Sequence, residues 1–209
     1  MLSVSHLRKS FNHRSILSDV TFEISNGETV ILMGKNGAGK TTLLRILARI
    51  MASDSGNINF QNRDLIKGLP ANRKKLLYLG HKPGMYSALS ALENLSLALN
   101  LRQTPVPKST IISTLNQFGL SSQKNDPIAI YSKGMLQRLK LTYAILANWS
   151  LLLLDEPFSG LDEEGVSLME GALKEWKFNK KTMCLVLHDE SMATKYGDRI
   201  LRLDNGIIN

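Results

Sequence analysis

The pattern of apolar and polar positions divides the chain into short strands and amphipathic helices. Val4 to Phe11 reads as a first strand, and after a polar turn Val20, Phe22 and Ile24 alternate with Thr21, Glu23 and Ser25. Asn26-Gly27 predicts a hairpin turn into the apolar run Val30-Ile31-Leu32-Met33. Leu43, Leu44, Ile46 and Leu47 then recur at helical spacing, Ser53 to Gly56 breaks the chain, and Ile58 to Phe60 and Leu76 to Leu79 are further strands. From Ala88 to about Gly119 the period is helical, with Leu92, Leu95 and Leu99 on one helix and Ile111, Ile112, Leu115 and Phe118 on another. Pro105-Val106-Pro107 separates the two. A helix follows Ser132 as far as Ala147, and the continuous runs Leu151–Leu154 and Thr182–Leu187 suit strands buried on both faces of a parallel sheet. A helix from about Glu164 to Lys177 lies between them, and Arg199–Leu203, Asp204-Asn205-Gly206 and Ile207-Ile208 predict a closing hairpin. The expectation is an α/β fold with a mostly parallel sheet, interrupted in its middle third by a helical insertion.

Composition narrows the class without naming it. The chain has 209 residues, 43% of them hydrophobic, which suits one domain with a core and leaves no room for a second catalytic module. Twenty-six Lys and Arg against eighteen Asp and Glu give a net charge of +8 and favour an anionic partner. The charge falls in short clusters such as Arg73-Lys74-Lys75 and Lys180-Lys181, which read as solvated surface. The single Cys184 lies inside an apolar run, so it reads as a small core residue of a protein kept in a reducing compartment. Met1 to His6 has no long apolar stretch, so no signal peptide is expected. Leu141 to Leu154 is interrupted by Thr142, Asn148 and Ser150 and falls short of the roughly 20 apolar residues a bilayer span needs.

The candidate chemistry begins at Gly34-Lys35-Asn36-Gly37-Ala38-Gly39-Lys40-Thr41, which follows a strand, opens a helix and fits the phosphate-binding P-loop pattern G-x-x-x-x-G-K-T. Its glycines let successive backbone N–H groups converge on a phosphate at a helix N-terminus. Lys40 would reach the terminal phosphates and the Thr41 hydroxyl would ligate Mg²⁺, with Thr42 next to it. Asp155 and Glu156 end a buried strand, where alternation should send the two carboxylates in different directions, one to a metal and one to an attacking water. His188 emerges at the end of the next buried strand, placed to face phosphate. Ser132 reads as an N-cap, and Phe11 reads equally as an edge-strand core aromatic or as a platform for a nucleobase.

The order of these motifs resembles the nucleotide-binding subunits of ABC transporters over essentially the whole chain. Phe11 matches the adenine-stacking aromatic, Gly34 to Thr41 the Walker A loop, Tyr131 to Arg138 the signature motif, Leu151 to Glu156 Walker B, Ser159 to Asp162 the D-loop, and His188 the switch histidine. The resemblance implies an ABC-type ATPase: a P-loop core with a mostly parallel sheet, an antiparallel β subdomain, and a helical subdomain at about 85–148 within a single ATP-binding domain spanning 1–209. It implies ATP and Mg²⁺ as ligands, with Lys40 and Thr41 on phosphate and metal, Asp155 on the metal through water, Glu156 as general base and His188 on the γ-phosphate. It also implies a head-to-tail dimer, in which Ser132, Gly134 and Gln137 with the D-loop Asp162 complete the partner's nucleotide site.

This chain departs from the family pattern twice. Tyr131, Lys133 and Met135 replace three members of the L-S-G-G-Q signature, and Lys133 brings a cation toward the presumed trans phosphate. His81 stands where a glutamine is expected, followed by Lys82. Tyr78 to Gly84 and Leu89 to Leu95 resemble the corresponding segments of the haem-exporter ATP-binding subunits of bacterial cytochrome c maturation, and Asp155-Glu156-Pro157-Phe158 agrees. The resemblance implies integral membrane permease partners and a peripheral location on the cytoplasmic face of the inner membrane. Met85, Tyr86 and Leu89 would be either anchors for the permease or subdomain core. Other exporters, of drug, lipid or polysaccharide type, are the alternative. A nucleic-acid-linked ABC ATPase is disfavoured because the chain has no heptads or paired cysteines, a GTPase because it has no N-K-x-D motif, and a small-molecule kinase because a signature and D-loop point to dimerisation.

Overall fold

The computed structural model describes residues 1–68, 70–82 and 84–208, so Pro83 of the Gly80-to-Gly84 segment lies outside the described residues. The chain falls into two units, one made of 1–80, 149–156 and 175–209, the other of 81–148 and 157–174. The first contains a ten-stranded sheet.

In its antiparallel part, β1 (Leu2–Phe11) and β2 (Arg14–Ile24) form a hairpin. Asn12 and His13 turn it with φ of 46° and 65°, the paired left-handed conformation that matches strand twist. Beyond β3 (Thr29–Met33), β4 (Ser55–Phe60) pairs with the other side of β1 and carries the short β5 (Arg63–Asp64). The parallel part adds β6 (Leu76–Leu79), β7 (Leu151–Asp155), β8 (Thr182–Val186) and β9 (Arg199–Asp204). They stand in the order β9-β3-β8-β7-β6, and β3, β7 and β8 are buried along their whole length. β10 (Ile207–Ile208) runs antiparallel to β9 and joins β2 in parallel through the pair Ile207 and Asp19. The predicted closing hairpin is present, with Asn205 and Gly206 at φ 48° and 78°.

The predicted hairpin at Asn26-Gly27 is not. A turn forms there, with Gly27 at φ 76°, but β2 and β3 are not neighbours. β3 is apolar on both faces and takes parallel partners on both edges, β8 and β9, so no edge remains for β2. Helix α1 (Lys40–Leu47) lays Leu43, Leu44, Ile46 and Leu47, all 0% exposed, into a core shared with Val30, Leu32, Leu153 and Val186. Each such side chain contributes about 1.5–3 kcal/mol relative to exposure.

The second unit holds α2 (Ala91–Leu101), α3 (Lys108–Gln117), α4 (Lys133–Leu146) and the start of α5 (Glu163–Phe178). Ser90 and Glu93 form a reciprocal capping box at the start of α2. The buried Asn94 donates to the carbonyls of Tyr86, Leu89 and Ser90 and accepts from Tyr86 N–H, which fixes the approach to the helix. Pro107 caps α3, as the break at 105–107 predicts.

Candidate functional site

In the first unit, β3 delivers the chain to the glycine-rich loop. Gly34 has φ 151°, and a Cβ there would lie 2.3 Å from the Leu203 carbonyl oxygen, so only glycine fits against β9. Gly39 (φ 103°) is the N-cap of α1 and supplies no side-chain cap, which leaves the first N–H groups of the helix available to an anion. Ala38 N–H bonds to Lys35 O at 3.1 Å and closes the loop. Lys40 curls back over it, with Nζ donating to Gly34 O at 2.7 Å and Lys35 O at 3.0 Å. Burial pushes the Lys40 pKa below its ordinary value, against the opposing pull of the Glu156 and Asp155 charges.

A cleft of about 260 Å³ opens over this loop. It is lined by Phe11, Ile16, Asn36, Gly37, Gly39, Lys40, Thr41, Thr42 and Glu156. Phe11 is 42% exposed, with Lys9 Nζ 5.3 Å from its ring centroid, so it is a wall of the cleft and not an edge-strand core residue. Asp155 ends β7 and is buried, and the Tyr78 hydroxyl donates to its Oδ2 at 3.4 Å. Burial first, and then the Asp155 charge, push the Tyr78 pKa up.

Alternation does not govern Glu156. The strand ends at Asp155 and Glu156 takes φ +52°, a left-handed conformation that a turn and not the pleat dictates. Its Oε1 lies 2.6 Å from His188 Nε2, so the carboxylate and the histidine that follow the neighbouring strands β7 and β8 meet in one pair. Asp189 caps α6 (Glu190–Tyr196) by accepting from Met192 N–H at 2.9 Å.

In the second unit, Ser132 caps α4, its Oγ accepting from Met135 N–H at 3.2 Å. The Tyr131 that departs from the signature is buried, and its hydroxyl donates to Gln123 O at 2.6 Å. A Cβ on Gly134 would come within 3.2 Å of the Gly160 carbonyl, so the signature glycine admits the D-loop backbone. Gln137 is buried and donates to Pro157 O at 2.6 Å. The Arg138 guanidinium donates to both Asp162 carboxylate oxygens, at 2.7 and 2.9 Å, and to Glu164 at 2.9 Å. That bonding, together with Gly165 N–H, holds the Asp162 carboxyl below the usual range. His81 and Lys82 are exposed at the start of this unit; Met85 and Leu89 are half-buried and Tyr86 is 62% exposed. Arg138 closes the signature-like segment, but its bonds to Asp162 and Glu164 are not legible in the sequence. Tyr78 sits one residue from a strand end, a signal that could have placed it beside Asp155, whereas Ile16 carries no local signal.

A family model for the ABC transporter matches residues 17–159. The cytochrome c biogenesis ATP-binding export protein CcmA of Vibrio cholerae serotype O1 is 34% identical over 203 residues, 97% of this chain and 98% of that one. The lantibiotic transport ATP-binding protein SrtF of Streptococcus pyogenes is 32% identical over 200 residues, 96% and 85% of the two chains. A solved ATP-binding subunit of an ABC transporter superposes with a TM-score of 0.89 at 29% identity, covering 100% of this chain and 88% of that one. The family model covers more than half of the chain and the Vibrio cholerae relative nearly all of it, so the chain belongs to the ABC transporter family, as one of its ATP-hydrolysing cassettes.

Proposed function

We propose that this chain, as a single cassette over 1–209 with a helical insertion at about 85–148, powers a membrane transporter by binding and hydrolysing ATP between two copies of itself. The observation that carries the reading is the meeting of Lys40, Thr41, Glu156 and His188 around the cleft beside Phe11. The α1 N-terminus and Lys40 bind the phosphates, and Phe11 stacks on the base. Lys40 has to exchange its bonds to the Gly34 and Lys35 carbonyls for phosphate oxygens. Thr41 Oγ1 and the buried Asp155 carboxylate are hard oxygen donors suited to Mg²⁺, and they would hold it, Asp155 through a water. When bound, Mg²⁺ neutralises phosphate charge. Glu156 accepts a proton from the attacking water, and His188 orients that carboxylate and faces the γ-phosphate.

Ser132, Gly134 and the N-terminus of α4 supply a second set of donors to the partner's nucleotide, while Gln137 and Arg138 position this region through Pro157 and Asp162. Hydrolysis removes the shared phosphate and the copies part. His81 and Lys82 stand in for the family's glutamine as γ-phosphate sensors. Tyr86 is an anchor for integral permease subunits, which hold the cassette peripherally at the cytoplasmic face of the inner membrane; among the described residues no helix is long and apolar enough to cross a membrane.

The transport step is the haem-handling step of cytochrome c biogenesis. The full-length likeness to the Vibrio cholerae export protein and the segments around Gly80 and Leu92 support it. The lantibiotic relative, at 32% identity, favours a second reading, export of another cargo. Glu156→Gln protein with ATP and Mg²⁺ tests the cassette: light scattering should show a dimer and phosphate release should fall by a factor of about 10²–10⁴. A strict monomer, alone and with its permease, overturns the shared-site reading. Expression in a strain lacking its haem-exporter ATPase tests the cargo: restored haem-staining cytochrome c supports the first reading, and its absence despite assembly with the strain's permease supports the second.

A further inference from the structure

The sheet brings together two basic clusters that are far apart in sequence and that nucleotide chemistry leaves unused. The register Leu76–Leu151–Thr182 places Lys75, Ser150 and Lys181 side by side at the start of β6, β7 and β8, and Ser150 N–H donates to Lys75 O at 2.7 Å. Lys74 precedes one end of this row and Arg73 reaches the Arg49 carbonyl at 3.2 Å. At the other end Lys180 packs on Gly27, just ahead of β3, and Phe178 closes α5 with 87% of its surface exposed. Five cations therefore line the edge opposite the one where β3 and β7 deliver the P-loop and Asp155.

Two acids near this edge are engaged by cations outside the row, Asp198 by Lys177 at 2.7 Å and Glu28 by Arg199 at 2.7 Å. We propose that this edge binds the surface of an anionic phospholipid bilayer, with the lysines at the headgroups and Phe178 in the interfacial layer. Nucleic acid suits the edge less well. Stacking along a strand needs several aromatic platforms, whereas one exposed ring beside lysines is an apolar group that a bilayer covers and a phosphate backbone does not.

The test is sedimentation of the full chain with vesicles of phosphatidylcholine containing one quarter phosphatidylglycerol, and with phosphatidylcholine alone. Binding should require the anionic lipid and weaken with salt. Replacing Lys74, Lys75, Lys180 and Lys181 together by Glu should weaken it by at least about a hundredfold, and Phe178→Ser by about fivefold. A variant with Arg63, Lys67, Lys108 and Lys124 changed to Glu carries the same net charge and should keep most of the binding. Retained ATPase activity and an unchanged melting temperature show that each variant is folded. Equal loss in both charge variants, binding to phosphatidylcholine alone, or tighter binding to duplex DNA than to the anionic vesicles overturns the proposal.

Discussion

Glu156 is held in the left-handed region at φ +52°, a conformation that costs a non-glycine residue about 1–2 kcal/mol. The conformation turns the carboxylate away from the direction the β7 pleat would give it and toward His188. Both residues were readable as chemistry because each follows an apolar run. Their pairing was not, because a pattern of alternation carries no information once the strand has ended. Cys184 is the opposite case, since Met183 to Leu187 already marked it as core and it is 2% exposed. Burial pushes its thiol pKa up to about 12, so it holds no thiolate at neutral pH. A disulfide reagent at pH 8 should find no reactive thiol in the folded protein and one per chain in denaturant.

Among the elements, the parallel strands were legible and their neighbours were not. The runs at β3, β7 and β8 are apolar throughout, a strong signal, but the turn at Asn26-Gly27 looks the same whether it joins paired strands or a crossover. The hairpin that β2 does form, with β1, turns on Asn12-His13, where no glycine announces the left-handed backbone. Helix α6, only seven residues long, gave no periodicity to read. Tyr131 shows how an element absorbs a departure from pattern: its hydroxyl satisfies the Gln123 carbonyl at the entrance to α4. Tyr131→Phe leaves that carbonyl without this donor and should lower stability by about 1 kcal/mol, seen as a fall in the denaturant midpoint at constant slope.

Asp198 fastens the strand ends in a similar way. Burial pushes its carboxyl up, but bonds from Lys177 and Thr29 N–H outweigh this and hold it below the ordinary value. A lowered carboxylate pKa contributes stability above the unfolded value and loses it as pH falls through the folded value. Asp198→Asn should therefore cost about 0.5 kcal/mol at pH 7, after allowance for solvent screening, and nothing at pH 2. Urea titrations of both proteins across that range check it.

At the scale of the molecule, motif order was enough to identify the family, because each motif sits at a strand end or helix start that the pattern also predicts. The sheet order was not legible. Nothing in the sequence says that β10 stands between β9 and β2, or that Gly206 meets Ser18 N–H at 2.8 Å. A Cβ on Gly206 would strike the Ser18 backbone and the Ile16 carbonyl, and its φ of 78° is already unfavourable for other residues. Gly206→Val should cost about 2 kcal/mol or more in a thermal melt and lower ATP affinity as well, since Ile16 lines the cleft.

The strands β9 and β10 lie in the middle of the sheet, yet the ribosome makes them after all eight strands that they unite. Until they emerge, a nascent chain has both halves of its largest layer open along the line where they should meet, with β3 lacking a neighbour on one side. The cassette consequently cannot mature from its N-terminus onward, and a stalled translation product ending before Arg199 should be a substrate for chaperones and proteases, not a nucleotide binder.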